Sequence, residues 1–291
     1  MTASLGGNRY GKSGIRLVRV RRGADRHELT DLTVDVSLEG DFAATYLSGD
    51  NADVLPTDTM RGTVYAMAGE APVGEPEEFG LRLAGHFVDA VPAATCARVC
   101  LAAAPWERVE AGGSPHPHAF LRAGSWLRTA TVTREGARAW VVAGVADMVV
   151  LKTTGSAFAG FLVDRYTTLE PASDRILATA VSASWRYGSL EVDWAKAWES
   201  ARRALLETFA VHDSRSLQQT LYAMGKAVLG GVPEAVEVRL SMPNRHHLSV
   251  DLSPYGLARR DEVFVATDRP FGVIEGSVVR AGAPPAGRAW E

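Results

Sequence analysis

The sequence predicts an α+β protein built from two tandem, similar domains, each with antiparallel strands and helices on one face of its sheet. Three observations carry the prediction. Strand-like alternation opens each half, two consecutive amphipathic helices follow, and further strand-like runs close it, so one order of elements occurs twice in 291 residues. The length exceeds that of an average domain, and 46% hydrophobic with 22% charged residues suits a globular chain with a substantial core. The division falls at residues 1–140 and 141–291.

Each element follows from its local pattern. In "GIRLVRVRR" the apolar Ile15, Leu17, Val18 and Val20 alternate roughly with arginine, and in "LTVDVSLEG" Leu32, Val34, Val36 and Leu38 alternate strictly with polar residues, so both read as strands with one wet face. A polar turn at Gly23 to Asp25 joins them. "PTDTMRGTVYAMAG" reads as a helix, with Thr57 at its N-cap and Met60, Val64 and Met67 at helical spacing, although Gly62 weakens it by about 1 kcal/mol. "EPEEFGLRLAGHFVDAV" opens on Pro76 and two acids, and its apolar stripe is Phe79, Leu83 and Phe87. Strands are expected near Ala94–Ala102, Trp126–Arg134 and Ala139–Val145.

The second half repeats the order. Strands near Met148–Thr153 and Ala180–Tyr187 precede a helix with Trp194, Trp198, Ala201, Leu205 and Phe209 on one side. A further helix starts at "SLQQ", where Ser216 and Gln219 have capping-box spacing, and strands "VEVRLSM", "HLSVDL", "EVFVA" and "VIEGSVV" follow. The Pro/Gly/Ala-rich end, from about residue 281, reads as a mobile tail. Sheets with helices on one face leave the other face to be covered, which suggests an oligomer.

Composition excludes several functions. A net charge of -3 offers no basic surface for nucleic acid, and no apolar run reaches membrane length. Cys96 and Cys100 are the only cysteines, without a second pair or a nearby histidine at zinc spacing, so they read as free thiols in a reducing, cytoplasmic compartment. His116 and His118 in "HPH" lack a third ligand and read as a solvated turn.

"GGNRYGKS", Gly6 to Ser13, fits the phosphate-loop pattern at every fixed position. That loop works only between a buried strand and a helix whose N-terminus faces the phosphates. Here five residues precede it and a strand pattern follows, so nucleotide binding is not expected and Lys12 needs another role.

Seven stretches together resemble the urate oxidase (uricase) family: "YGKSGIRLVRV", "GDNADVLPTDT", "TVYA", "LKTTGSAFAGF", "DRYTTLEPASDRILAT", "SLQQTLYAMG" and "MPNRHHLSVDL". The resemblance implies a tunnelling fold, two such domains per chain closing into a barrel in a homotetramer, with active sites at subunit interfaces. It implies a purine pocket in which Phe158 stacks on the substrate, Arg175 grips one edge, and Gln218 with the Leu217 amide takes the other. Lys12, Thr57, Asn244 and His246 would surround oxygen and water, with Thr57 and Asp58 reaching in from a neighbouring subunit. The implied reaction oxidises urate with O2 and water to 5-hydroxyisourate and hydrogen peroxide, with no metal or other cofactor.

The residue types suit that chemistry. A flat, anionic, polar purine needs an aromatic face and polar forks, which Phe, Arg and Gln supply. Under the resemblance, Lys12 acts as base through the Thr57 hydroxyl, His246 extends the proton relay and Asn244 holds oxygen and then water. Taken singly, each has a blander reading: a loop lysine, a core aromatic, a surface arginine and a hairpin turn at "NRHH". Against relatives, Pro56, Gly62 and Arg245 are departures that touch no reacting group.

Overall fold

The computed structural model describes residues 3–258, 261–267 and 269–291. In chain order the elements are β1 (Tyr10–Arg22), β2 (His27–Gly40), α1 (Ala43–Leu47), α2 (Thr57–Glu70), α3 (Pro76–Ala90) and β3 (Ala94–Ala103). Next come β4 (Trp106–Ala111), β5 (Ser114–Arg122), β6 (Leu127–Glu135), β7 (Arg138–Lys152), β8 (Leu177–Tyr187), α4 (Trp194–Val211) and α5 (Leu217–Gly231). The chain closes with β9 (Ala235–Ser241), β10 (His246–Ser249), a 3-10 turn at Ser253–Tyr255, β11 (Phe264–Thr267) and β12 (Glu275–Val279).

The chain forms two compact units. The first comprises Met1–Gly144, Arg186–Lys196 and Pro284–Glu291, and the second Val145–Trp185 and Ala197–Ala283. The units are not two consecutive stretches of chain, because Arg186–Lys196 and Pro284–Glu291 cluster with the first.

In the first unit β1, β2, β3 and β6 pair antiparallel in that order. The alternation read from the sequence sets the register: Val34, Val36 and Leu38 are buried while Asp35 and Ser37 between them are not fully covered. Helix α3 packs on β3 and β6 through Phe79, Leu83 and Phe87, all fully buried. Gly80 permits the contact, because a Cβ there would lie 2.7 Å from Val132 Cγ2 and 2.9 Å from Leu101 Cδ1. The helix opens with a true capping box, Glu75 with Glu78, and Pro76 at its first position. Fully buried Glu77 is held by Arg128 at 2.7 Å, and the same guanidinium takes Glu75 at 2.5 Å. Burial pushes the Glu77 carboxyl above its usual range, with Arg128 opposing the shift.

The second unit repeats the device. Helix α5 packs on β9 and β12, which pair antiparallel, and a Cβ on Gly225 would lie 2.6 Å from Val278 Cγ2. Leu221, Met224 and Val228 bury themselves there. A helix glycine thus meets a sheet valine in each unit.

Several expectations change. The two strands expected at Ala139–Val145 and Met148–Thr153 are one strand, β7, kinked where Asp147 takes the left-handed φ of 57° and donates its N–H to Ser182 Oγ at 3.1 Å. The hairpin β4–β5 is additional, as is the short helix α1. His116 and His118 lie in β5, with ring centres 4.5 Å apart, so "HPH" is a strand and not a turn. The C-terminal segment is docked on the first unit. Ala289 is 2% exposed, and Arg288 pairs with Glu39 and, at 3.2 Å, with Glu135. An arginine held by carboxylates on two strands anchors a segment that composition alone marks as mobile.

Candidate active site

The second unit contains a cavity of about 630 Å³, within the range of roughly 300–1,000 Å³ usual for small-molecule sites. Its lining includes Phe158, Arg175, Leu217, Gln218, Asn244 and His246, so the structure brings together every site residue that the sequence placed in this unit.

Three segments of backbone meet to build it. The first is the loop between β7 and β8, whose two arms pair where Phe158 N–H donates to Ala172 O at 2.8 Å and Ala172 N–H returns to Phe158 O at 2.9 Å. The second is the start of α5, tied to the loop by Ala157 N–H to Ser214 O at 2.7 Å and Ser214 N–H to Gly155 O at 2.9 Å. The third follows β9. Asn244 bridges Thr179 of β8, its N–H donates to Gly272 O at 2.9 Å, and the next N–H, on Arg245, donates to Ala178 O at 2.9 Å.

The side chains define the chemistry. The Arg175 guanidinium carbon lies 5.2 Å from the centre of the Phe158 ring. Its Nε is buried without a hydrogen-bond partner among the described residues. Burial alone pulls the Arg175 pKa below its ordinary value. A partly desolvated cation with an unused donor is costly unless an anion arrives to meet it. Leu217 is the first residue of α5 and Gln218 the second, so the positive end of the helix faces the same cavity. Ser216 caps that helix by accepting from Gln219 N–H at 3.2 Å. The Gln219 side chain accepts from Arg215 N–H at 3.0 Å rather than returning to Ser216, so the expected box closes one residue early.

Lys12, Thr57 and Asp58 belong to the first unit and are not among the lining residues of this cavity. Lys12 lies in β1 immediately before an irregularity in its pairing with β2, where Gly14 takes φ 69° and donates its N–H to Asp35 Oδ1 at 2.6 Å. A lysine inside a strand cannot cradle phosphates as a phosphate loop does. Thr57 is the first residue of α2. The N-cap is Pro56, without a side-chain capping bond, so the capping role expected for Thr57 is wrong and its hydroxyl is not used that way. Asp58 pairs with Arg61 at 2.7 Å on the exposed face. Tyr10 accepts from Leu55 N–H at 2.9 Å, fastening the approach to α2 onto the strand that carries Lys12.

The sequence reading missed several wall residues, among them Leu169, Ile274 and His247. Leu169 and Ile274 lie outside the strands, and β10, which carries His247, is only four residues long, too short for a period to mark a side chain as facing a cavity.

The Uricase family model matches residues 8–133 and 141–275, together most of the chain. The chain belongs to the uricase family. It is 47% identical over 279 residues to the uricase of Arthrobacter globiformis, an alignment covering 96% of this chain and 91% of that protein. It is 37% identical to the uricase of Danio rerio over 93% of each chain. The crystal structure of the Arthrobacter globiformis uricase superposes with a TM-score of 0.94 at 45% identity, covering 100% of this chain and 99% of that one. The uricase fold is thus the fold seen here. Among the described residues no helix is long and apolar enough to cross a membrane.

Proposed function

We infer that this protein is a urate oxidase and that the cavity of its second unit seats the purine. The observation that carries the inference is Arg175: a half-buried guanidinium with no partner at Nε among the described residues, lying against Phe158 and sharing its cavity with the N-terminus of α5. Such a place suits a flat organic anion. Phe158 offers the stacking face, Arg175 a planar fork, Gln218 both a donor and an acceptor, and Leu217 its main-chain N–H.

The reaction follows from the substrate. Ground-state O2 reacts slowly with closed-shell molecules unless it receives electrons singly. Urate that has lost its dissociable protons is electron-rich enough to supply them. The protein then has to remove protons, stabilise charge and hold oxygen and water over the ring. In our reading Lys12 takes a proton through the Thr57 hydroxyl, His246 passes it on, and Asn244 orients oxygen and then water. Urate, O2 and H2O become 5-hydroxyisourate and H2O2; two electrons leave the purine, two reduce oxygen, and water supplies the new hydroxyl.

Because Lys12, Thr57 and Asp58 lie outside the lining of the purine cavity, we assign them to a neighbouring copy in a homotetramer, with the site at the interface between subunits. Exposed Val149 and Leu151 on the β7 strand are apolar surface that such an assembly would cover. Free Cys96 and Cys100 agree with a reducing, cytoplasmic setting. Isothermal titration of the protein with xanthine, followed by urate turnover, tests the reading; neither binding nor turnover at millimolar purine would refute it.

A further inference from the structure

We propose that Asp174, which does not line the cavity, is the positioning residue that sets Phe158 and Arg175 against each other; the proposal rests on the purine-site reading above. Asp174 stands at the neck of the β7–β8 loop. Its Oδ2 accepts from Thr154 Oγ at 2.6 Å, and its Oδ1 accepts from Ser156 N–H at 3.2 Å and from the N–H of Arg175 itself at 3.0 Å. One carboxylate therefore ties the outgoing arm, two residues before Phe158, to the returning arm at Arg175.

The knot extends further. Ser156 bridges Ser214, and Ser214 Oγ accepts from Thr220 Oγ at 2.7 Å inside the first turn of α5. Loop neck and helix start thus form one hydrogen-bonded unit, from which the stacking ring, the fork and the helix-end amide all project. The donated bonds, Thr154 first and then Ser156, hold the Asp174 carboxyl below its usual range, in keeping with an ionised acceptor at neutral pH. Asp174 is solvent-exposed, so it contributes little to the core. Its effect is on geometry, where a shift of about 1 Å in a positioned group is enough to matter.

The test uses the full-length protein, with xanthine as a non-reacting purine probe and urate as substrate. Asp174→Ala is expected to raise the xanthine Kd and the urate KM together by about tenfold, with kcat falling less than KM rises. Hydrogen exchange at the amides of residues 155–176 quickens while thermal stability stays near that of the unaltered protein. Asp174→Asn restores most of the affinity, because its carbonyl still accepts both N–H groups and the Thr154 hydroxyl can turn to accept instead. If Asp174→Ala does not fold, Thr154→Val removes one of the three bonds and is expected to give a smaller rise in both constants. Unchanged Kd and KM in Asp174→Ala, or no rescue by Asp174→Asn, would overturn the proposal. If the unaltered protein fails to bind purine, the urate reading falls, and exchange at residues 155–176 alone decides: faster exchange in Asp174→Ala supports the positioning role and unchanged exchange overturns it.

Discussion

Arg175 lies with its guanidinium carbon 5.2 Å from the centre of the Phe158 ring, and its buried Nε has no hydrogen-bond partner among the described residues. Both residues leave the same loop, whose arms are joined by the bond pair between Phe158 and Ala172. The arrangement holds a cation ready for an anion instead of neutralising it within the protein. Substituting Arg175→Lys keeps the charge but removes the planar fork. The urate KM is expected to rise roughly 10- to 150-fold, the worth of one charge-assisted hydrogen bond. Steady-state kinetics on the purified variant check this.

Lys12→Met addresses the chemistry rather than the seat. In the proposed mechanism Lys12 moves a proton through Thr57 and does not hold the purine, so xanthine affinity is expected to stay within about twofold while kcat falls by about 10²- to 10⁴-fold, as for loss of a general base. Retained kcat would remove Lys12 from the mechanism.

Two glycines inside helices are expected to behave oppositely. Gly62 of α2 has nothing within 4 Å of where a Cβ would stand, so Gly62→Ala should stabilise by about 0.5–1 kcal/mol. Gly80 of α3 would meet Val132 and Leu101, so Gly80→Ala should destabilise by about 1–3 kcal/mol. Chemical denaturation of both variants gives the two signs directly.

Cys96 is 2% exposed, and burial pushes its thiol from 9.0 up to about 11. A thiol whose folded pKa is raised contributes stability that is fully present below about pH 9 and is lost as pH climbs toward the folded value. At pH 8 iodoacetamide is expected to leave Cys96 unmodified in the folded protein and to alkylate it after denaturation, as mass spectrometry would show.

Legibility differed between fold and site for physical reasons. Strict alternation in β2 and the stripe on α3 are imposed by burial of one face, so both could be read from residue order. The hairpin β4–β5 was hidden by Pro115 and Pro117, which argue against a strand; as a separate two-stranded sheet it tolerates residues that an inner ladder would not. β7 was divided because its kink at Asp147 breaks the apolar run without ending the strand. In the site, Phe158, Arg175 and Asn244 lie in segments without period, and only the family resemblance singled them out. Asp174 lies within one of the resembling stretches, yet its three bonds join residues up to 20 apart in sequence, which no local pattern encodes.

In the proposed mechanism urate itself supplies both electrons to oxygen. Protein dialysed against chelator is mixed with urate while ultraviolet absorbance, oxygen consumption and peroxide formation are recorded together. One O2 is expected to be consumed and one H2O2 formed per urate, at a rate that added flavin or metal ions leave unchanged. Turnover that appears only when such a cofactor is restored would contradict it.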